Sequence, residues 1–361
     1  MCLYPRLMYN PKYKANKKNR GEIPPIKDQR TVYVPVGCGV CIECKKQNAR
    51  NWQLRLLEDI KQHTNGKFIT LTFSDEGIKK IWDDDIKYEE YIRRKKVKLK
   101  KQRKPLTNLK GYDLDNGIAT RAVRFFLERW RKEYKKSLRH WLVTEIGGNY
   151  TERIHIHGIV WCDDLNTIER IWQYGIIHKG KELQNGQIQN YVNERTVNYI
   201  VKYLTKVDEK HKAYKSIVLT SPGIGKNYIT NPNSRLNEFN GKETSETYRT
   251  TTGHKIALPI YWRNKIYSEE EREMLWLQKL DKQERWVCGE KIDVSETDKH
   301  YENIVKYHRQ RTTQLGYHEP EFIWKQQAYE EARRNMLNGD RVQGNTKYKK
   351  CLRRGNSKDI G

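Results

Sequence analysis

At 361 residues the chain can bury a full core as one large domain or two smaller ones. Its 71 Lys+Arg against 45 Asp+Glu leave a formal net charge of +26, an excess that draws polyanions and makes nucleic acid the expected partner. No apolar run approaches the roughly 18 residues of a spanning helix, which argues against a membrane protein, and Met1-Cys2-Leu3-Tyr4-Pro5-Arg6 has no apolar signal core, so the chain is expected to stay in the cytoplasm where it is made.

In chain order, residues 1–47 are rich in Pro, Gly, Lys and Tyr, with Cys38-Gly-Val-Cys41-Ile-Glu-Cys44 running into a helical pattern. Over residues 47–62, Trp52, Leu56, Leu57 and Ile60 recur at helical spacing, and Gly66 stops the helix. Residues 67–73 alternate and are β-rich, giving the first strand. The acidic triplet at 83–85 precedes a basic run at 93–104, and such like-charge density predicts a solvated loop or insertion near 83–111, either a solubilising surface or a DNA-contacting arm. A second amphipathic helix spans about 118–136, with Val123, Phe126, Leu127 and Trp130 on one face. Residues 141–146 and 153–161 read as an antiparallel hairpin joined through Gly147, Gly148 and Asn149. A short helix follows at 168–175, a tyrosine-bearing helix at 193–207, a strand at 256–262 and a charged helix at 268–285; beyond 296 the pattern is weak, polar and basic.

The hairpin carries the chemistry. Alternation sends His155 and His157 to one face, and a turn centred near Tyr150 puts Glu145 opposite His155 on that face. Two imidazoles and a carboxylate can hold a divalent cation with positions left open for substrate, and the cation can act as a Lewis acid on a phosphate oxygen. A lone His-x-His is weak evidence, since two ordinary hydrogen-bonded histidines look the same. Cupin-type barrels also use the motif, but residues 158–162 lack the carboxylate they need. Iron centres that activate oxygen would leave the charge and the tyrosines unexplained.

On the tyrosine helix, Tyr199 and Tyr203 lie one turn apart, a rise of about 6 Å, with Lys202 and Lys206 along the same side. A phenol with a pKa near 10 attacks poorly unless nearby positive charge favours its phenolate, a field that the lysines and a metal could supply. Taken alone the pair reads more simply as amphipathic core aromatics; the upstream hairpin turns that reading toward catalysis.

Seven cysteines are an odd number without a secretion signal, which favours reduced thiols and a metal site over disulfides. Cys38, Cys41 and Cys44, with Cys2 as a fourth, could bind structural Zn²⁺ as thiolates. An iron–sulfur centre is disfavoured because position 48 is Asn. Cys162, Cys288 and Cys351 stand apart.

The hairpin from Glu145 to His157 followed by Tyr199-Ile-Val-Lys-Tyr203 resembles the HUH endonuclease superfamily, its two-tyrosine rolling-circle initiators in particular. Residues 68–73 are similar to the strand that precedes the metal hairpin there. The segments at 1–6, 10–13 and 38–44, with Trp52, Arg55 and 258–261, resemble the replication initiation proteins of gokushovirus-type microviruses. This resemblance implies an α+β fold, a central antiparallel sheet flanked by helices. It implies a Cys-rich extension at 1–47, an endonuclease domain at 48–265 and a charged helical region at 266–361. It implies Mg²⁺ or Mn²⁺ at Glu145, His155 and His157, and attack by Tyr199 or Tyr203, assisted by Lys202 and Lys206. The expected activity is nicking of one strand of a phage replicative form at its origin, a 5′-phosphotyrosine link and later rejoining, in the host bacterial cytoplasm. Expected partners are single- and double-stranded phage DNA, a host helicase and host replication proteins. Many relatives have Pro before the first His where this chain has Ile154, a residue expected to face away from the metal. A relaxase or transposase of the same superfamily is the nearest rival reading; a noncatalytic basic zinc protein that coats DNA is a rival of another class.

Overall fold

The computed structural model describes residues 2–95, 104–148, 151–182, 184 and 188–343. The chain divides into two compact units: residues up to Gln62 with Leu204–Val207 and Gly225–Ile323, and His63–Tyr203 with Asp208–Ile224 and the chain from Trp324 onward.

The second unit is built on a five-stranded antiparallel sheet, in the order Ile177–His178, Gly66–Leu71, Ile154–Trp161, Arg139–Ile146, Val218–Thr220. Alternation along the central strand decides its two faces. Ile154, Ile156 and Val160 are buried in a core with Ile118, Ala122 and Phe126 of the helix Gly111–Tyr134, so the histidines between them point to the other side. Ile154 thus faces the core, as expected from its place before the histidines.

Residues 83–95, expected as loop, belong to a helix, Asp75–Lys95. Ile78 and Ile81 anchor it in the core, and buried Asp85 receives Arg121 Nε at 2.8 Å and the Leu106 amide at 3.0 Å. Like-charge density along the chain does not reveal that Asp85 has its partner, Arg121, on the next helix. Residues 96–103 of the basic run, Asn149 and Tyr150 of the hairpin turn, and Cys351 lie outside the described residues.

From Trp324 onward, the helix Pro320–Gln343 supplies a buried charge network to this unit. The Arg334 side chain is 0% exposed; it donates from Nε and Nη2 to Asp115 at 3.0 and 2.8 Å, and from Nη1 to the Glu152 carbonyl at 3.0 Å. Glu152 has φ 44°, a left-handed backbone just ahead of the histidine strand. Its carboxylate also pairs with Arg333 and lies 3.1 Å from His211 Nε2, whose Nδ1 is 2.9 Å from Asp208.

In the first unit the helix Ile42–Gln62 contributes Leu54 to a core with Tyr228, Tyr248, Leu258, Trp262 and Tyr267. Arg55 lies 4.1 Å from the ring centres of both Trp52 and Tyr261. Residues 256–262 are not one strand: Lys255–Ala257 ends early, and Pro259, with its fixed φ, leads into the helix Ile260–Ile266. The charged helix runs Glu269–Asp281, with Ser268 and Glu271 forming a reciprocal capping box. It is followed by the hairpin Glu284–Val287/Glu290–Asp293, turned on Cys288 and Gly289, both at positive φ, and by the helix Lys299–Gln314. No helix among the described residues is long and apolar enough to cross a membrane.

Candidate functional site

The hairpin sets Glu145 directly opposite His155, the register expected from a turn near Tyr150. His157 pairs with Thr70 across the neighbouring strand, and Thr70 pairs in turn with His178 on the edge strand. Cross-strand partners share a face, so Glu145, His155, His157, Thr70 and His178 line one side of the sheet. Thr70 and His178 escaped sequence reasoning; Thr70 could have been found by aligning the two strands, but a two-residue edge strand has no periodic signal.

Both nitrogens of His157 are engaged. Nδ1 lies 2.9 Å from Thr70 Oγ1 and Nε2 lies 2.8 Å from Glu145 Oε2, and both side chains of that second pair are mostly buried. Holding Nδ1 fixes the ring, and Nε2, here occupied by the carboxylate, is the nitrogen that would have to exchange that bond for a cation. Burial first, and then the neighbouring His157, lower the pKa of His155, which keeps it in the neutral form that ligates cations. Gly147 makes room for it: a Cβ there would come within 2.7 Å of His155 Cε1. Two imidazoles and one carboxylate on one face are donor types that a divalent cation takes, although their ligand atoms do not all lie within 4.8 Å of one another. Glu145, His155 and His157 could hold it.

The tyrosines arrive from the helix Glu194–Val201, whose start is fixed by a capping box of Asn193 and Thr196 and whose buried face is Val197, Ile200 and Val201. The helix ends earlier than expected and tightens into a 3₁₀ turn, Lys202–Leu204, that carries Tyr203. The Tyr203 ring stacks on His157, centroids 4.3 Å apart and planes 7° from parallel. Its hydroxyl lies 3.0 Å from that of Tyr199. Burial, then the hydrogen bond with Tyr199 and the charge of Glu145, push the Tyr203 phenol upward, so it is a poor nucleophile without added positive charge. Tyr199 is 50% exposed, with its ring edge-to-face on Phe68 at 5.9 Å. Lys202 is exposed on the 3₁₀ turn, whereas Lys206 lies past its end, in the Leu204–Val207 segment of the first unit. The helix on which both lysines were expected thus ends before Lys206.

In the first unit Cys2, Cys38, Cys41 and Cys44 bring their sulfurs within 4.8 Å of one another. Among the described residues they are the one set of three or more Cys, His, Asp or Glu donors that close. Backbone amides of Cys38 and Cys41 point at Cys2 Sγ and Cys38 Sγ, at 3.2 and 3.3 Å. Hydrogen bonding among the four sulfurs brings Cys2, Cys38 and Cys41 down to about 6 and drives Cys44 up. Thiolate-ready sulfurs at this spacing could bind a metal such as zinc. Leu3, Ile42, Val287, Ile292 and Val305 pack around the cluster.

Residues 66–208 match the family model for the replication-associated protein ORF2. The matched segment begins with the Gly66–Leu71 strand and ends just past the tyrosines, so it contains Glu145, His155, His157, Tyr199 and Tyr203 and leaves out Cys2, Cys38, Cys41 and Cys44. It supports a role in DNA replication, as a replication-associated protein. No curated protein and no solved structure matches the chain.

Proposed function

We propose that the chain is a rolling-circle replication initiator of the HUH type, a tyrosine endonuclease and strand transferase on phage DNA in the host bacterial cytoplasm. The observation that carries this reading is the stack of Tyr203 on a histidine that is itself bonded to Glu145, with the Tyr199 hydroxyl 3.0 Å from that of Tyr203. Core aromatics have no need of a histidine–carboxylate pair, and a protein that only coats DNA has no need of any of them.

Each side chain then has a task. One phenol oxygen attacks the scissile phosphorus, its proton passing to solvent, while the P–O3′ bond breaks and the leaving oxygen takes a proton from solvent, giving a 3′ hydroxyl and a 5′-phosphotyrosine. The second phenol is placed to accept that strand in the closing transfer. Mg²⁺ or Mn²⁺ at Glu145, His155 and His157 would supply Lewis-acid neutralisation of the phosphate charge. Thr70 orients His157, and exposed Lys202 offers positive charge on the tyrosine turn. Lysines and arginines elsewhere hold the DNA backbone, with a host helicase and replication proteins as further partners. The cysteine cluster serves as a structural zinc site.

His155→Ala and His157→Ala test the reading. Each is expected to abolish nicking of single-stranded fragments of the encoding genome in Mn²⁺ while leaving DNA binding nearly intact, because phosphate contacts do not need the cation. Equal loss of binding and cleavage would assign the histidines a structural role.

A further inference from the structure

An open-sided cavity of about 420 Å³ adjoins Tyr199. Phe68, Gln189, Asn190, Tyr191, Arg195 and Tyr199 are among the residues that line it. One wall is rigid. The Phe68 amide donates to Asn190 Oδ1 at 2.8 Å, and Asn190 Nδ2 donates to the carbonyls of Phe68 and Lys179 at 2.6 and 2.5 Å, so the side chain of Asn190 ties its own loop to the Gly66–Leu71 strand. Two large aromatic rings nevertheless stay in solvent beside this wall: Tyr191 is 61% exposed and Tyr199 50%. Arg195 lies one helical turn before Tyr199 and is exposed as well.

We propose that this cavity is a nucleobase pocket that takes one unpaired base of single-stranded DNA beside the scissile phosphate. The inference rests on the nicking reading above and extends it to how the strand is gripped. Exposed aromatic faces next to an amide and a guanidinium are what a single-stranded nucleic acid needs: a ring to stack on, a group to meet the base edge, a cation for the phosphate. Tyr191 is the stacking platform, the Gln189 amide meets the base edge, and Arg195 holds the adjoining phosphate. The volume accommodates a nucleotide and is small for a folded partner. Since Tyr199 itself lines the cavity, a base seated there sets the register of the strand against the attacking hydroxyl, and Tyr191 is a specificity-determining residue.

The test uses the full chain and single-stranded oligonucleotides with 2-aminopurine placed at successive positions, in EDTA, so that no cleavage is required. The sequence is that of the fragment giving the covalent adduct, or oligo(dT) if none does. At one or two adjacent positions the wild-type protein is expected to quench 2-aminopurine by stacking. Tyr191→Ala should remove that quench and weaken strand binding about tenfold, Tyr191→Phe should retain both, and Arg195→Gln should weaken binding and reduce its salt dependence while keeping the quench. The same quench in Tyr191→Ala as in wild type, or no quenched position in wild type, overturns the pocket. Adduct formation in Mn²⁺ is scored separately: a quench without an adduct keeps base binding in the cavity but removes the nicking reading and with it the place beside a scissile phosphate, and an adduct without a quench overturns the pocket alone. Tyr191 is mostly solvated, so loss of fold does not confound its replacement.

Discussion

Removing Arg334 should unfold the sheet-bearing unit far more readily than its place near the end of the described chain suggests. Its side chain is 0% exposed, and Asp115, its bidentate partner, is 1% exposed. Arg334→Met keeps the stem volume but leaves Asp115 buried without its cation and the Glu152 carbonyl without its donor. Breaking a buried pair from one side costs about 3–5 kcal/mol, more than a hundredfold in the unfolding equilibrium at about 1.4 kcal/mol per decade. Urea unfolding followed by tryptophan fluorescence reads the loss directly. Adding Asp115→Leu to Arg334→Met should recover much of it, because the apolar pair no longer leaves a stranded charge. A cost below about 1 kcal/mol would mean that the network is worth no more than an exposed ion pair, and the reasoning would fail.

Four further outcomes follow from the same structure. Thr70→Val frees His157 Nδ1, and the Mn²⁺ concentration for half-maximal nicking should rise about 10- to 100-fold with DNA binding unchanged; an unaltered Mn²⁺ titration would show that Thr70 does not orient the ring. Gly147→Ala drives a methyl to 2.7 Å from His155 Cε1 and should raise the Mn²⁺ requirement in the same sense, readable in the same titration. His211, raised by Asp208 and Glu152 against its burial, and those two carboxylates, lowered by His211 and (for Glu152) Arg333 against theirs, make stability pH-dependent: the contribution is complete between about pH 4.3 and 6.5, falls in acid as the carboxylates protonate and falls again as pH rises through the raised value of His211. His211→Gln should flatten the alkaline side of a plot of urea midpoint against pH, and an unchanged curve would remove His211 from the network. Cys41→Ser should release about one zinc per chain and destabilise the first unit, and elemental analysis finding no zinc in the unmutated protein would end that idea.

The hairpin was legible because alternation and register are local: once residues 141–146 and 153–161 are strands joined by a short turn, Glu145 has to face His155. The tyrosine helix was legible from the one-turn spacing of Tyr199 and Tyr203, but not its last turn, which closes as 3₁₀ at Lys202–Leu204, short of Lys206. The helix Asp75–Lys95 was hidden by its charge, because the partner of its buried Asp85 is Arg121, 36 residues away. The short hairpin at 284–293 was hidden inside a charged stretch, although Cys288-Gly289 between two β-rich runs was its signal. Least legible was the network of Arg334, whose partners Asp115 and Glu152 are remote in sequence, so that no spacing reveals them.

Peptide mapping of the trapped protein–DNA adduct, beside the tyrosine variants, decides whether this helix houses the nucleophile. DNA is expected at Tyr199 or Tyr203, with some adduct in each single Phe variant, failure of both single variants to complete cycles of nicking and closure, and no adduct in Tyr199→Phe with Tyr203→Phe. DNA attached at any other tyrosine, or an adduct that survives in the double variant, would contradict that placement.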